Sequence, residues 1–287
     1  MVPPKDPILS QKQLAQYEEC GFIDSIPILT AGEIASYRAE AEKTCRAIGR
    51  DVTRLDNVHF FFRWAWDLST HPRLLNCLQP ILGSNILLKS TRLFYKHARS
   101  SSYVGWHQDG VTEKLSDARA PAIWLGLTAA TVENGCLRVV PGSHRLGLSQ
   151  HSARPVRDSL TNNQSPAPTR LRSRGRETEM SGKVSIVPPQ AHLPFDLVMR
   201  PGEMSIHHPV VFHGSNPNRS AEPRIGLSAS YSAPELYYGR TAVWARGEAP
   251  KAQYDFEIAE PPPDVPFGEA VAAYLESDFQ ILFAPAG

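Results

Sequence analysis

Residues 105–110 read GWHQDG, and the reading of this stretch decides the fold. As a strand, its side chains alternate between two faces, so His107 and Asp109 point one way and Gln108 the other. Two ligand-type groups then face one point in space.

The segments around it support a strand. From about residue 86 the chain carries short apolar or alternating runs, ILLKSTRLFYKHA, PAIWLGLTAAT, CLRVVPGS, FDLVMRPGEMSIHHPVVFHG and RIGLSASYS, punctuated by Gly, Pro and Asn turns. That pattern predicts an antiparallel sandwich or barrel. Upstream, LSQKQLAQYEECGF predicts a helix stopping at Gly21, and LTAGEIASYRAEAEKTCRAIGR one capped by Thr30 and ending at Gly49. HPRLLNCLQPILG predicts a short third helix, broken near Pro80. FGEAVAAYLESDFQILF reads as one closing helix after a Pro-rich stretch. The expected organisation is one domain over 1–287, with a helical part at 1–85, a β core at 86–232 and a C-terminal extension at 233–287. Within the core, 151–190 is Ser-, Pro- and Arg-rich with weak periodicity, and reads as a lid-like insertion or a disordered loop.

Composition narrows the function. Thirty basic and twenty-nine acidic residues in 287 leave a net charge of +1, which gives no global field for nucleic acid or an acidic membrane. Cys20, Cys45, Cys77 and Cys136 are scattered without a C-x-x-C pair, which argues against a thiolate zinc site and a disulfide framework. No run approaches the roughly 18 apolar residues of a membrane span, and the expected location is the cytoplasm. The expected partner is a small-molecule substrate; the oligomeric state is not readable.

A third ligand comes from HHPVVFHGSNPNRS. His213 ends an apolar run just before a Gly-Ser-Asn-Pro-Asn turn, and His, Asp and His together form the facial triad that holds Fe(II) with positions left open. His207 and His208 are weaker candidates, because a regular strand would put them about 16 to 20 Å from His213. Beyond the turn, Arg224, Gly226, Ser228 and Ser230 alternate with Ile225, Leu227, Ala229 and Tyr231. The first face is small and polar with one guanidinium, as a carboxylate-binding cavity requires. Trp124, Gly126 and Thr128 likewise oppose Ile123, Leu125 and Leu127, and Arg92, Phe94 and Lys96 share a face.

The stretches SSYVGWHQDG, TVENGCLRVVPGSHRLG and PGEMSIHHPVVFHGSNPNRSAEPRIGLS resemble the phytanoyl-CoA dioxygenase family of Fe(II)/2-oxoglutarate oxygenases, from about Leu9 to Ser232. The resemblance implies a mainly β fold, a double-stranded β-helix of the jelly-roll or cupin kind with flanking N- and C-terminal helices. It implies iron on His107, Asp109 and His213, and O2 and 2-oxoglutarate as co-substrates, with decarboxylation to succinate. Arg224, at the family's offset from the distal histidine, would pair with the far carboxylate of 2-oxoglutarate; Ser215, Thr128 and Lys96 are further candidates for the co-substrate. Arg92, Phe94, Trp106 and Trp124 are candidates for the substrate. A carboxylate at 109 implies oxygen transfer, because related halogenases carry a small residue there. The expected reaction is hydroxylation of an unactivated C–H bond of a specialised metabolite. Beside it stand an oxygenase acting on an acyl-CoA, a catalytically silent jelly-roll binder, and a zinc hydrolase that would leave Arg224 idle.

Overall fold

Capping boxes open the first two helices. In α1 (Gln11–Cys20) the Ser10 hydroxyl accepts from the Gln13 N–H while the Gln13 side chain accepts from Ser10, and Gly21 closes the helix in the left-handed region at φ 81°. Thr30 and Glu33 repeat the reciprocal cap before α2 (Ala31–Ile48), after β1 (Phe22–Pro27). The computed structural model describes residues 8–110, 117–149, 170–173, 176–179, 193–248, 254–279 and 281–283.

The remaining elements follow as β2 (Val52–Asp56), α3 (Arg63–Ser69), α4 (Pro72–Leu82), β3 (Ile86–Lys96), β4 (Val104–His107), β5 (Ala122–Gly126), β6 (Leu137–Val139), β7 (Arg170–Ser173), β8 (Arg176–Glu179), β9 (Phe195–Leu197), β10 (Glu203–His207), β11 (His213–Ser215), β12 (Arg224–Ser232), β13 (Thr241–Arg246), β14 (Glu257–Ile258), α5 (Phe267–Glu276) and β15 (Ile281–Phe283). A large sheet runs β1-β10-β5-β12-β3-β13-β14, with β2 pairing β3 and β15 pairing β2. A small sheet runs β4-β11-β6-β9. The two face each other as a jelly roll, the expected mainly β architecture with helices flanking it.

The alternation of β12 sorts the large sheet's faces. Ile225, Leu227, Ala229 and Tyr231 join Leu93, Ile123, Leu125, Met204 and Ile206 in one core with Tyr17, Cys45, Leu68, Leu78 and Tyr274 from the helices. The helices thus cover the outer face. Arg224, Gly226 and Ser228 lie beside Lys96, Phe94 and Arg92 of β3 on the inner face. A second cluster of Phe22, Trp124, Cys136, Val139, Leu197 and Met199 packs between the sheets.

Several expectations are corrected. The first third is not only helical, since β1 and β2 both join the large sheet. Helix α4 runs through Pro80 to Leu82: a proline this near the end removes one internal donor, and the Gly83 N–H still reaches the Gln79 carbonyl at 2.8 Å. The closing helix stops at Glu276, and Ile281–Phe283 instead forms a strand antiparallel to β2. Most of the lid-like insertion 151–190 lies outside the described residues. Within it, β7 and β8 pair antiparallel, so the stretch is not wholly without regular structure.

Candidate metal centre

Strands β4 and β11 are neighbours, and their register sets His107 opposite His213. The Nδ1 of His107 lies 2.9 Å from the Gly105 carbonyl, and that of His213 lies 3.0 Å from the Val211 carbonyl. Donating there fixes the tautomer and leaves each Nε2 lone pair free. Both Nε2 atoms point at Asp109, at 3.6 Å from its Oδ1 and 3.6 Å from its Oδ2. The ligand atoms of the three residues all lie within 4.8 Å of one another.

Strand β4 ends at His107, so Asp109 reaches this point from the following turn rather than from a strand. Two contacts hold that turn. The Gly110 N–H donates to the Pro209 carbonyl at 2.8 Å, and the buried Gln108 amide donates to Val210 at 2.6 Å and Gly147 at 2.9 Å. Through these bonds Gln108 clamps the turn against the β10–β11 connection.

Burial raises the Asp109 carboxyl, but the charge of His213, the hydrogen bond and charge of His107, and the charge of Arg92 outweigh it and hold it well below the usual carboxylate range. Burial and the His107 charge lower His213 to about 4, against the opposing effect of Asp109. An anionic carboxylate and a neutral imidazole are the states a divalent cation needs.

His207 is closer than a straight strand allows. Its ring stacks on His213 with centroids 6.0 Å apart and an 11° tilt. The chain turns at Pro209 and passes from one sheet to the other, so rise per residue does not apply. His207 Nε2 lies 3.0 Å from the Ser205 hydroxyl. Burial, with the His213 charge, lowers it to about 3. Among the described residues only His107, Asp109 and His213 form a cluster able to hold a metal. His208 and His144 sit elsewhere, ring to ring at 5.0 Å, and His144 Nε2 bonds the Glu18 carbonyl at 3.0 Å.

Beside the triad the inner face is cationic. Arg224 is 3% exposed and Lys96 is 6% exposed, and neither makes an ion pair among the described residues. Lys96 Nζ donates to the Ser215 hydroxyl at 2.9 Å and to the Asn216 carbonyl at 2.5 Å. Ser215 stands two residues beyond His213 on the same face of β11, so this bond links the cations to the triad's strand. Arg224 donates one Nη to the Gly135 carbonyl at 2.6 Å, lies over Trp124 at 5.1 Å, and leaves Nε buried without a partner among the described residues. Burial lowers Arg224 to about 10 and, with the Arg224 charge, lowers Lys96 well below its ordinary value.

The other expected residues divide. The Thr128 hydroxyl accepts the Ile225 N–H at 2.9 Å, bracing the strand that carries Arg224. Trp124 lies inside, against Arg224. Phe94 and Arg92 lie on the inner face, half-buried. Trp106 does not: one step from His107, it faces away and lies under the Arg138 guanidinium at 5.5 Å. Gly135 has a role the sequence did not reveal. Its φ of 72° and a Cβ that would meet Asn216 O at 2.2 Å admit only glycine, and its carbonyl accepts from Arg224 and, at 3.4 Å, from Lys96.

A donor set of two imidazoles and a carboxylate, next to a buried fork with no acid, fits ferrous iron together with a dicarboxylate. A jelly roll with that constellation between its sheets defines a class, the Fe(II)/2-oxoglutarate oxygenases. Residues 17–226 match the model of the phytanoyl-CoA dioxygenase (PhyH) family. An ectoine dioxygenase of Nocardia farcinica is 25% identical over 253 residues, covering 78% of this chain and 78% of its own. The fold matches the apo non-heme monooxygenase ThoJ with a TM-score of 0.68 at 24% identity, over 91% of this chain and 92% of that one. It also matches EctD from S. alaskensis, solved with 2-oxoglutarate and 5-hydroxyectoine, with a TM-score of 0.60 at 20% identity over 92% of each. The chain belongs to the phytanoyl-CoA dioxygenase family. It is an Fe(II)/2-oxoglutarate-dependent dioxygenase. No described helix is long and apolar enough to cross a membrane.

Proposed function

We propose that His107, Asp109 and His213 hold the iron, that Arg224 with Lys96 and Ser215 receives 2-oxoglutarate, and that the enzyme hydroxylates a small specialised metabolite in the cytoplasm. The observation that carries this reading is the pair of buried basic side chains with no acid partner among the described residues, joined through Ser215 to the strand of His213. A guanidinium left without its anion costs several kcal/mol, so such a site is built for a ligand that brings one.

Bound iron supplies O2 activation coupled to decarboxylation of 2-oxoglutarate to succinate. The chain's own residues set the conditions. Asp109 and the two imidazoles would offer one negative charge and leave the remaining positions open. The planar fork of Arg224, held over Trp124, orients the distal carboxylate, while Lys96 and the Ser215 hydroxyl bring polar hydrogens beside it. Val139, Trp124 and Phe22 close the space between the sheets to water on one side. Thr128 acts on the co-substrate indirectly, through the backbone of β12. Phe94 and Arg92, half-buried on the inner face, offer a surface to the substrate; Trp106, on the far face, does not.

Uncoupled succinate formation against 2-oxoglutarate concentration tests the assignment. Arg224→Lys keeps the charge and loses the fork, so the co-substrate constant rises roughly tenfold, and Arg224→Ala raises it about a hundredfold. Unchanged constants in both variants would remove Arg224 from the co-substrate site.

A further inference from the structure

The inner face of β3 carries three residues, Lys96, Phe94 and Arg92, in steps of two. Lys96 is committed to Ser215 and Asn216. Arg92 is not committed to anything: its guanidinium makes no hydrogen bond and no ion pair among the described residues, although it is half-buried. The register places it between Ser228 of β12 and Asp56 of β2. Asp56 is the acid that would ordinarily neutralise it, but both Asp56 oxygens are taken by Arg54, at 2.6 Å and 2.6 Å. Arg92 shares the inner face of β3 with Lys96, which bonds Ser215 on the strand of His213, so it stands on the side of the sheet turned toward the triad.

We propose that the substrate of this enzyme carries a carboxylate and that Arg92 receives it, with the apolar part of the substrate against Phe94. This deepens, and rests on, the iron and 2-oxoglutarate site proposed above. A guanidinium presents its donors as a planar fork that matches a carboxylate with two parallel bonds, and desolvating it without such a partner is unfavourable. The neighbouring Arg54–Asp56 pair keeps the rim polar without adding a free anion, so it does not compete for Arg92. Phe94 is half-buried on the same inner face, between Arg92 and Lys96 and opposite Gly226, which has no side chain to cover it. The substrate class is therefore an acid with an apolar body, anchored by its carboxylate at a fixed place relative to Asp109, which is what a regioselective oxidation of a C–H bond requires.

The test uses the whole chain, loaded anaerobically with Fe(II) and 2-oxoglutarate, and reads the visible charge-transfer band of that complex. The probes are alkyl and aryl carboxylic acids, each paired with its own primary amide. The expected result is that one or more acids shift the band at concentrations at least roughly tenfold below their amides, and that Arg92→Gln abolishes this preference while the band itself remains. Acids that shift the band no better than amides, or no probe that shifts it at all, overturn the proposal. So does an acid that only bleaches the band, because it then displaces 2-oxoglutarate from Arg224. If Arg92→Gln instead weakens Fe(II) binding and keeps the preference for acids, Arg92 serves only to neutralise Asp109. A wild-type chain that forms no band fails at the underlying site, and that failure is visible before any probe is added.

Discussion

A carboxylate needs two things to bind in a water-poor barrel: a cation, and room for that cation and its neighbours. Gly226 supplies the room. It sits beside Arg224 on the inner face of β12, and a Cβ there would meet Trp124 Cζ2 at 2.3 Å. Gly226→Ala therefore displaces the indole on which Arg224 stacks, at about 1–3 kcal/mol of overpacking. The expected outcome is a raised Michaelis constant for 2-oxoglutarate with Fe(II) affinity unchanged, read by succinate formation and by metal titration. A loss of Fe(II) affinity with an unchanged co-substrate constant would place Trp124 elsewhere in the mechanism. At this scale much is legible: side-chain chemistry singles out His107, Asp109 and His213, which the fold brings together although Asp109 stands in the turn after β4, and alternation along β12 puts Arg224 on the inner face. Gly135 is not, because it acts through a carbonyl, and every residue has one. Trp106, one step from His107 within β4, lies on the opposite face, as alternation along that strand requires.

Elements are decided by their ends, and α2 shows how much one end can carry. Glu33 accepts from the Thr30 N–H at 2.7 Å and from its hydroxyl at 2.8 Å, and it also binds Arg73, whose Nε reaches the Ile28 carbonyl at 2.6 Å. Burial opposes ionisation, but the Thr30 and Arg73 contacts prevail and bring the Glu33 pKa down to about 2. Its folded pKa is thus depressed, so its contribution is full above the ordinary carboxylate value and lost as pH falls toward 2. Glu33→Gln is expected to cost about 1–2 kcal/mol at pH 7, discounted for its partial exposure, and progressively less as pH falls from about 4.5 to about 2. Denaturation midpoints of both proteins at neutral and acid pH check it; a deficit that does not shrink would assign the effect to propensity alone. The Thr30 cap was visible in the sequence, and β1 was not. Ser25 adopts a φ of 56° and the pairing with β10 slips between Ile23 and Ile26, so the bulge breaks the alternation by which a strand is recognised. The Ile281–Phe283 strand was hidden differently: its apolar residues continue the spacing of α5, and only pairing with β2 separates them from it.

The molecule as a whole buries more histidine than its charge balance suggests. Burial lowers His59 to about 3 and, together with nearby charges, His207 to about 3, His208 to about 4 and His213 to about 4. Each binds a proton in the unfolded chain near pH 6.5 but not in the native one, so native stability falls as pH drops through that window. The expected loss in the apoprotein is up to about 1.4 kcal/mol per pH unit for each such histidine between about pH 6 and pH 4. Urea midpoints at pH 7, 6 and 5 measure it, and a flat profile would show that these rings are not held neutral. The same scale explains why the distance from His207 to His213 was misjudged. A sequence states rise along one strand, whereas here the chain leaves the large sheet at His207 and enters the small one at His213.

The triad lies on β11 and at the end of β4, and the cations lie on β3 and β12, so the account needs both sheets to meet around one iron and one 2-oxoglutarate. Anaerobic titration of the wild-type chain and of Asp109→Ala with Fe(II) and 2-oxoglutarate tests this most directly. The account predicts a saturable visible charge-transfer band in the wild type, and in Asp109→Ala a folded protein with an unchanged melting temperature and no band. A variant that forms the same band at the same iron concentration would contradict it.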